Sequence, residues 1–217
     1  MVQKSQQASP PRRGRPRAYD ADTALARAVD AFWDAGFAAT SLDDLSQATG
    51  MNRPSLYAAF GDKRELYQKA LERYRERARE AFKEAFADDE PLRSALRRVY
   101  DTAIAIYLSG ARGARGCFII GTAVTQAVTD VQARAALADT LVEIDEAFAR
   151  RIRSAQRGGE LPGEANPVML GKLAAAALSS LAIRARAGAS RTELEAVADA
   201  AVDLIGGPRK GEKKAPR

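Results

Sequence analysis

Residues Gly50 to Gly61 read G-M-N-R-P-S-L-Y-A-A-F-G. An arginine beside a proline, followed by a tyrosine and two alanines, does not suit a core helix. Gly50 fits a left-handed turn position, and Met51 plugs the corner behind it. Asn52 is a good N-cap for a helix whose first turn holds Pro54, where a missing N–H costs nothing. In that helix Leu56 and Phe60 stand four apart and share a face, leaving Arg53, Ser55, Tyr57 and Ala58 outward or to the side.

Upstream, Thr40 or Ser41 caps a short helix, with Asp43 or Asp44 as the reciprocal partner three residues on. Leu42, Leu45 and Ala48 are its inward positions, and Gly50 ends it. Two short helices about a tight turn have the spacing of a helix-turn-helix, whose second helix enters the major groove with its N-terminal residues at base edges. The side chains suit that task. Arg53 matches guanine O6 and N7, Ser55 reaches either kind of base edge, and Ala58 permits close approach or meets a thymine methyl. Pro54 and Tyr57 add apolar body, the Tyr57 hydroxyl is left for a phosphate, and Lys63 brings a charge and a helix N-terminus to another. The same spacing also fits a surface hairpin with a solvated charged face.

The chain has 217 residues, 46% of them apolar and 29% charged, which suits one or two small globular domains. No apolar run of bilayer-crossing length and no leader-like stretch is read in it, so a cytoplasmic location without membrane association is expected. One cysteine, Cys117, allows no intrachain disulfide, and the absence of histidine excludes the usual zinc sites and histidine-dependent catalytic sets. No Gly-rich phosphate loop is present, so neither an enzyme nor a cofactor is expected. Residues 1–17 carry +5 and 206–217 carry +4, which leaves the body at −3 of a total of +6. Basic arms on a body that is not basic suit contact with a polyanion.

Between the tails every segment has helical period and none has strand period, so the class is all-α with about nine helices. The first runs from Asp22 to Ala35 with Leu25, Val29, Phe32 and Trp33 in register, ended by Gly36. Asp62 and Glu65 form a capping box that opens a long fourth helix, and the 88–91 cluster breaks it before the fifth. Further helices are expected at about 117–129, 131–157, 167–187 and 191–205, the last capped by Ser190 with Glu193. The final two are apolar on more than one face, which reads as ordinary core or as a self-paired four-helix interface. The organisation expected is a basic disordered arm 1–17, a DNA-binding unit 18–64, an effector and dimerisation domain 65–205 and a basic disordered tail 206–217.

The run T-S-L-D-D-L-S-Q-A-T-G-M-N-R-P-S-L-Y-A-A-F-G-D-K-R-E-L-Y, Thr40 to Tyr67, resembles the signature of the TetR/AcrR family of transcriptional regulators, with L-Y-x-x-F-x-x-K (Leu56 to Lys63) its strongest part. The resemblance implies an all-helical homodimer with a three-helix DNA-binding unit and a helical domain that binds a small effector. It implies that Tyr57, Lys63 and Thr40 clamp phosphates, with Ser41 beside Thr40, and that Arg53, Pro54 and Ser55 face bases. Ala59 departs from the pattern, since many members carry a polar residue there. Arg13-Gly-Arg-Pro-Arg17 resembles an AT-hook core, in which Arg13, Arg15 and Arg17 lie in a narrow minor groove; a basic tail making non-specific contacts is the alternative.

Tyr100, Tyr107, Phe118, Phe148 and Met169 are candidate effector walls, although aromatic residues at helical spacing serve equally as core. Cys117 follows Gly116 at a helix start near Arg112 and Arg115, a setting that lowers a thiol's pKa. Its R-G-C-F context is similar to that of electrophile-sensing, N-ethylmaleimide-responsive repressors of the family, while a buried cysteine is also a common apolar filler. These observations point to a repressor acting on a palindromic operator in double-stranded DNA, dimeric through its last two helices, released by a small effector or by modification of Cys117. The alternative is a non-specific architectural or adaptor protein.

Overall fold

The computed structural model describes residues 20–86, 90–110 and 113–207. The two basic tails, with Arg13, Arg15 and Arg17, lie outside them, as does Arg112. Among the described residues there are nine helices and no strand: α1 Ala21–Ala39, α2 Leu42–Thr49, α3 Arg53–Phe60, α4 Lys63–Ala85, α5 Leu92–Tyr107, α6 Phe118–Gln126, α7 Val131–Arg157, α8 Pro167–Arg186 and α9 Arg191–Ile205.

The caps explain most of these boundaries. Ser41 accepts from the Asp44 N–H while the Asp44 carboxylate accepts from the Ser41 N–H, and Asp62 with Glu65 and Ser190 with Glu193 repeat the arrangement. Each pair satisfies two backbone donors that a helix start leaves open. Asn52 caps α3 with Pro54 in its first turn, and Gly50 stands at φ 71° between α2 and α3. Gly36, at φ 83° and ψ 164°, breaks α1 where the sequence predicts its end, and one more turn follows before Thr40. α6 is shorter than expected, because 127–129 form a turn.

Two apolar cores divide the molecule. The first joins α1 to α3 with the N-terminal half of α4, through Phe32, Trp33, Leu45, Met51, Leu56, Phe60, Leu66 and Tyr67. It continues into Phe118, Ile119 and Ala123 of α6, so packing does not stop at residue 64. The second joins α5, α7, α8 and α9 around Tyr100, Ile104, Phe148, Ile152 and Leu181. Cys117 packs against both.

Helix α8 is long and apolar enough to cross a membrane by length and composition, contrary to the sequence reading. Here it packs on α7, α9 and α5. At Gly171 an added Cβ would lie 2.8 Å from the Asp145 carbonyl, so glycine lets α8 approach α7 closely. Its other face leaves Val168, Met169, Leu173 and Ile183 exposed, and Leu204 of α9 is 71% exposed. Positions 169, 173 and 183 share one helical stripe.

Candidate functional site

Burial of Met51, Leu56 and Phe60, each 6% exposed or less, seats α3 on α2 and α4. That leaves Arg53, Pro54, Tyr57 and Ala58 exposed on the opposite side, with Ser55 half-buried. The Arg53 guanidinium is held by Asp43 of α2, Nε to Oδ1 at 3.0 Å and Nη2 to Oδ2 at 2.7 Å. Of the two acids the sequence offers as capping partner, Asp44 takes that part with Ser41, and Asp43 pairs with Arg53 instead.

Lys63 opens α4 with its ammonium 4.5 Å from the Phe37 ring centroid. Partial burial lowers its pKa, against the raising influence of Asp44. Thr40 corrects the expectation of a phosphate clamp through its side chain. It is buried, and its hydroxyl donates to the Gly36 carbonyl at 2.6 Å, so it closes the end of α1 instead. Ser41 remains exposed, with its hydroxyl donating to Asp44 at 2.6 Å as part of the cap.

The three-helix unit α1 to α3 is latched to the rest of the chain. Trp33 Nε1 donates to the carbonyl of Gly116 at 3.1 Å, and the Arg115 guanidinium lies 3.8 Å above the Trp33 ring while pairing with Asp30 at 2.7 Å. Arg186 at the end of α8 donates to the Arg115 carbonyl at 3.1 Å. Arg64 pairs with the buried Asp130 at 2.7 Å, and the Tyr67 hydroxyl donates to Thr122 at 2.8 Å.

The setting of Cys117 differs from the expectation. Its thiol accepts from the Tyr74 hydroxyl at 3.4 Å and also meets Tyr107. Burial pushes the thiol's pKa up, in spite of donation from the Ile120 and Ile119 N–H groups and the two phenols. Arg115, expected to stabilise a thiolate, is committed to Trp33 and Asp30. Phe118 is fully buried, ringed by Trp33, Tyr67 and Tyr74 at centroid distances of 5.8, 6.1 and 5.5 Å, and Tyr107 is 5% exposed.

A cleft of about 1300 Å³ opens elsewhere, between α4, α5 and α7. Arg75, Arg79, Phe82, Phe86, Ile144 and Arg151 are among its walls, and none of Tyr100, Tyr107, Phe118, Phe148, Met169 or Cys117 is. Phe82 and Phe86 stand 5.7 Å apart with Phe148 behind both. Arg75 and Arg79 share Glu72 and Glu143, at 2.6 to 3.0 Å. Their convergence depends on how α4 meets α7.

Residues 24–70 match the model of the bacterial regulatory proteins of the tetR family. The HTH-type transcriptional repressor ComR of Escherichia coli K12 is 32% identical over 88% of this chain and 91% of its own. The transcriptional regulator CifR, solved as a cysteine mutant with 26-base-pair double-strand operator DNA, is 32% identical, with a TM-score of 0.75 over 87% of this chain and 98% of that one. The reduced form of E. coli NemR has the same fold, at 14% identity and a TM-score of 0.72 over 85% of this chain and 94% of its own.

Proposed function

This chain belongs to the TetR family and is a DNA-binding transcriptional regulator, and we propose that it is a dimeric repressor that reads its operator through α3. The observation that carries the reading is the division of α3 into a buried face, Leu56 and Phe60, and an exposed one bearing Arg53 and Tyr57. Arg53 and Ser55 face base edges in this reading, Pro54 sits beside them, and Tyr57 and Lys63 meet phosphates. Thr40 contributes by closing the end of α1, beside Ser41. Operator-bound CifR supports the assignment by its likeness over nearly the whole chain.

Dimerisation follows through the exposed apolar stripe of α8 together with Leu204 of α9, residues that water would otherwise cover. Two α3 helices in successive major grooves stand about 34–36 Å apart. The α4–α5–α7 cleft receives a small effector. Helix α4 transmits its presence, since Leu66 and Tyr67 near its start belong to the DNA-unit core while Arg75, Arg79 and Phe82 line the cleft. The effector is favoured over modification of Cys117, whose half-buried thiol is disfavoured as a thiolate.

Footprinting on DNA selected from a random pool tests this reading. Two protected half-sites about one helical turn apart are expected. Protection that spreads without a boundary as protein is added would assign a non-specific architectural role instead.

A further inference from the structure

We propose that the α4–α5–α7 cleft takes a monoanionic organic carboxylate with an apolar body, its carboxylate held by Arg151. The inference rests on the reading of the protein as effector-controlled and assigns the chemistry of that effector.

Arg151 stands in the middle of α7 with its side chain 7% exposed, and it lines the cleft. A guanidinium carries five N–H donors. Among the described residues this one bonds through Nη2 alone, to the Glu90 carbonyl and, at a long 3.4 Å, to Glu160 Oε1. Its Nε is buried without a partner. Glu160 is itself divided, since its second oxygen accepts the Leu92 N–H at 2.5 Å. A buried cation so thinly satisfied is costly unless an anion completes its shell.

The neighbouring helix end points to the same chemistry. Pro91 gives α5 no side-chain cap of its own, Glu160 takes only the Leu92 N–H, and Arg93 and Ser94 of the first turn line the cleft. The N-terminus of a 16-residue helix favours negative charge.

The remaining cations restrict the ligand further. Arg75 and Arg79 are matched by Glu72 and Glu143, Arg93 is bonded to Asp203 and to the Gly207 carbonyl, and Arg150 pairs with Glu146 at 3.7 Å. Lys83, also on the wall, is exposed to solvent, and Arg75 has an unpartnered Nε although its two Nη atoms are paired. Arg151 is therefore the buried guanidinium of the cleft without a carboxylate at close range, a balance that suits a single negative charge better than a dianion such as a phosphate monoester. Phe82, Phe86, Ile144 and Ala147 supply an apolar wall for an aryl or acyl body.

Calorimetric titration of the full-length protein with 4-phenylbutyrate and decanoate, each beside its neutral amide, tests the proposal. At least one carboxylate is expected to bind at least tenfold tighter than its amide, and Arg151→Met should abolish that preference. Because Arg151→Met strands Glu160, the double variant Arg151→Met/Glu160→Gln is titrated as well and should show the same loss. Amides that bind as well as the acids, carboxylates that do not bind, or a preference that survives in the double variant would each overturn the proposal. Operator binding by the unliganded wild-type protein is measured alongside. If it is intact while the cleft stays silent, the carboxylate assignment fails alone; if it is absent, the DNA-binding reading fails.

Discussion

The Arg53 side chain of α3 lies against Asp43 of α2 with both carboxylate oxygens engaged, at 3.0 and 2.7 Å. The two helices of the DNA-reading unit thus share a bidentate ion pair on the surface proposed to meet the major groove. The pair is exposed, so its worth to folding is about 1 kcal/mol or less. Its consequence for binding is larger, because Asp43 orients the fork of Arg53 and repels phosphates that approach it without a matching base.

Asp43→Asn should accordingly change specificity more than stability. Affinity for random-sequence DNA is expected to rise and the ratio of operator to random-DNA affinity to fall several-fold. Competition binding at fixed salt checks both, and an unchanged ratio would remove Asp43 from base reading.

Trp33→Phe keeps the ring in the α1–α4–α6 aromatic cluster and removes the donor to the Gly116 carbonyl. A buried acceptor left unpaired costs about 1–3 kcal/mol. Chemical denaturation should show a loss of that order, and the effector's influence on operator affinity should weaken, since the latch joins α1 to the loop before α6.

The half-buried setting of Cys117 sets a pH dependence. Its folded pKa is raised, so at pH 8 less of it is thiolate than of a free cysteine, and Ellman's reagent should label the native protein several-fold more slowly. Cys117→Ser should still bind operator. Rapid stoichiometric labelling with loss of operator binding would restore the thiol as a trigger.

The buried phenols extend the effect to stability. Burial raises Tyr67 to about 12 and pushes Tyr74 and Tyr107 up as well, so folding favours the protonated form of all three. Their contribution is complete below the ordinary phenol value of about 10 and is lost as pH climbs from there through the raised folded values. The melting temperature should therefore fall between pH 9.5 and 11.5, and a flat profile would contradict the burial of these hydroxyls.

The dimer surface is tested by charge. Ile183→Glu with Leu204→Glu places carboxylates on side chains that are 58% and 71% exposed in the single chain, so the fold should survive. Light scattering should report a monomer, and operator affinity should drop by at least two orders of magnitude.

Much of the DNA-reading unit is legible in the sequence because local rules govern it. Gly50, Asn52 and Pro54 specify a turn and a helix start whatever surrounds them, and Leu56 and Phe60 can bury one face and no other. Ser41 with Asp44 and Asp62 with Glu65 are equally local. The features that escape are those made by residues far apart in the chain. Cys117 reads as a reactive thiol beside arginines or as an apolar filler, and the contacts that favour the second, Tyr74 and Tyr107 on the thiol and Arg115 turned to Trp33, come from distant parts of the chain. Phe118 reads as a pocket wall until α1 and α4 surround it. Thr40 reads as a phosphate contact, yet the break at Gly36 leaves a carbonyl that its hydroxyl satisfies. The cleft is least visible of all: Arg75 and Arg151 fall on the apolar period of their helices, beside Leu71 and Ala78 and beside Phe148 and Ile152, and only the meeting of α4, α5 and α7 shows that they line a cleft.

The central claim, that α3 reads sequence, is tested most directly by competition binding of the wild-type dimer and of Arg53→Ala and Tyr57→Ala to selected operator and to random DNA. The account predicts a strong preference for operator in the wild type. Arg53→Ala should lose about 1–3 kcal/mol of that preference, and Tyr57→Ala should weaken both affinities by a similar factor while the dimer persists. Wild-type protein that binds both DNAs alike, or an Arg53→Ala variant that keeps the full preference, would contradict it.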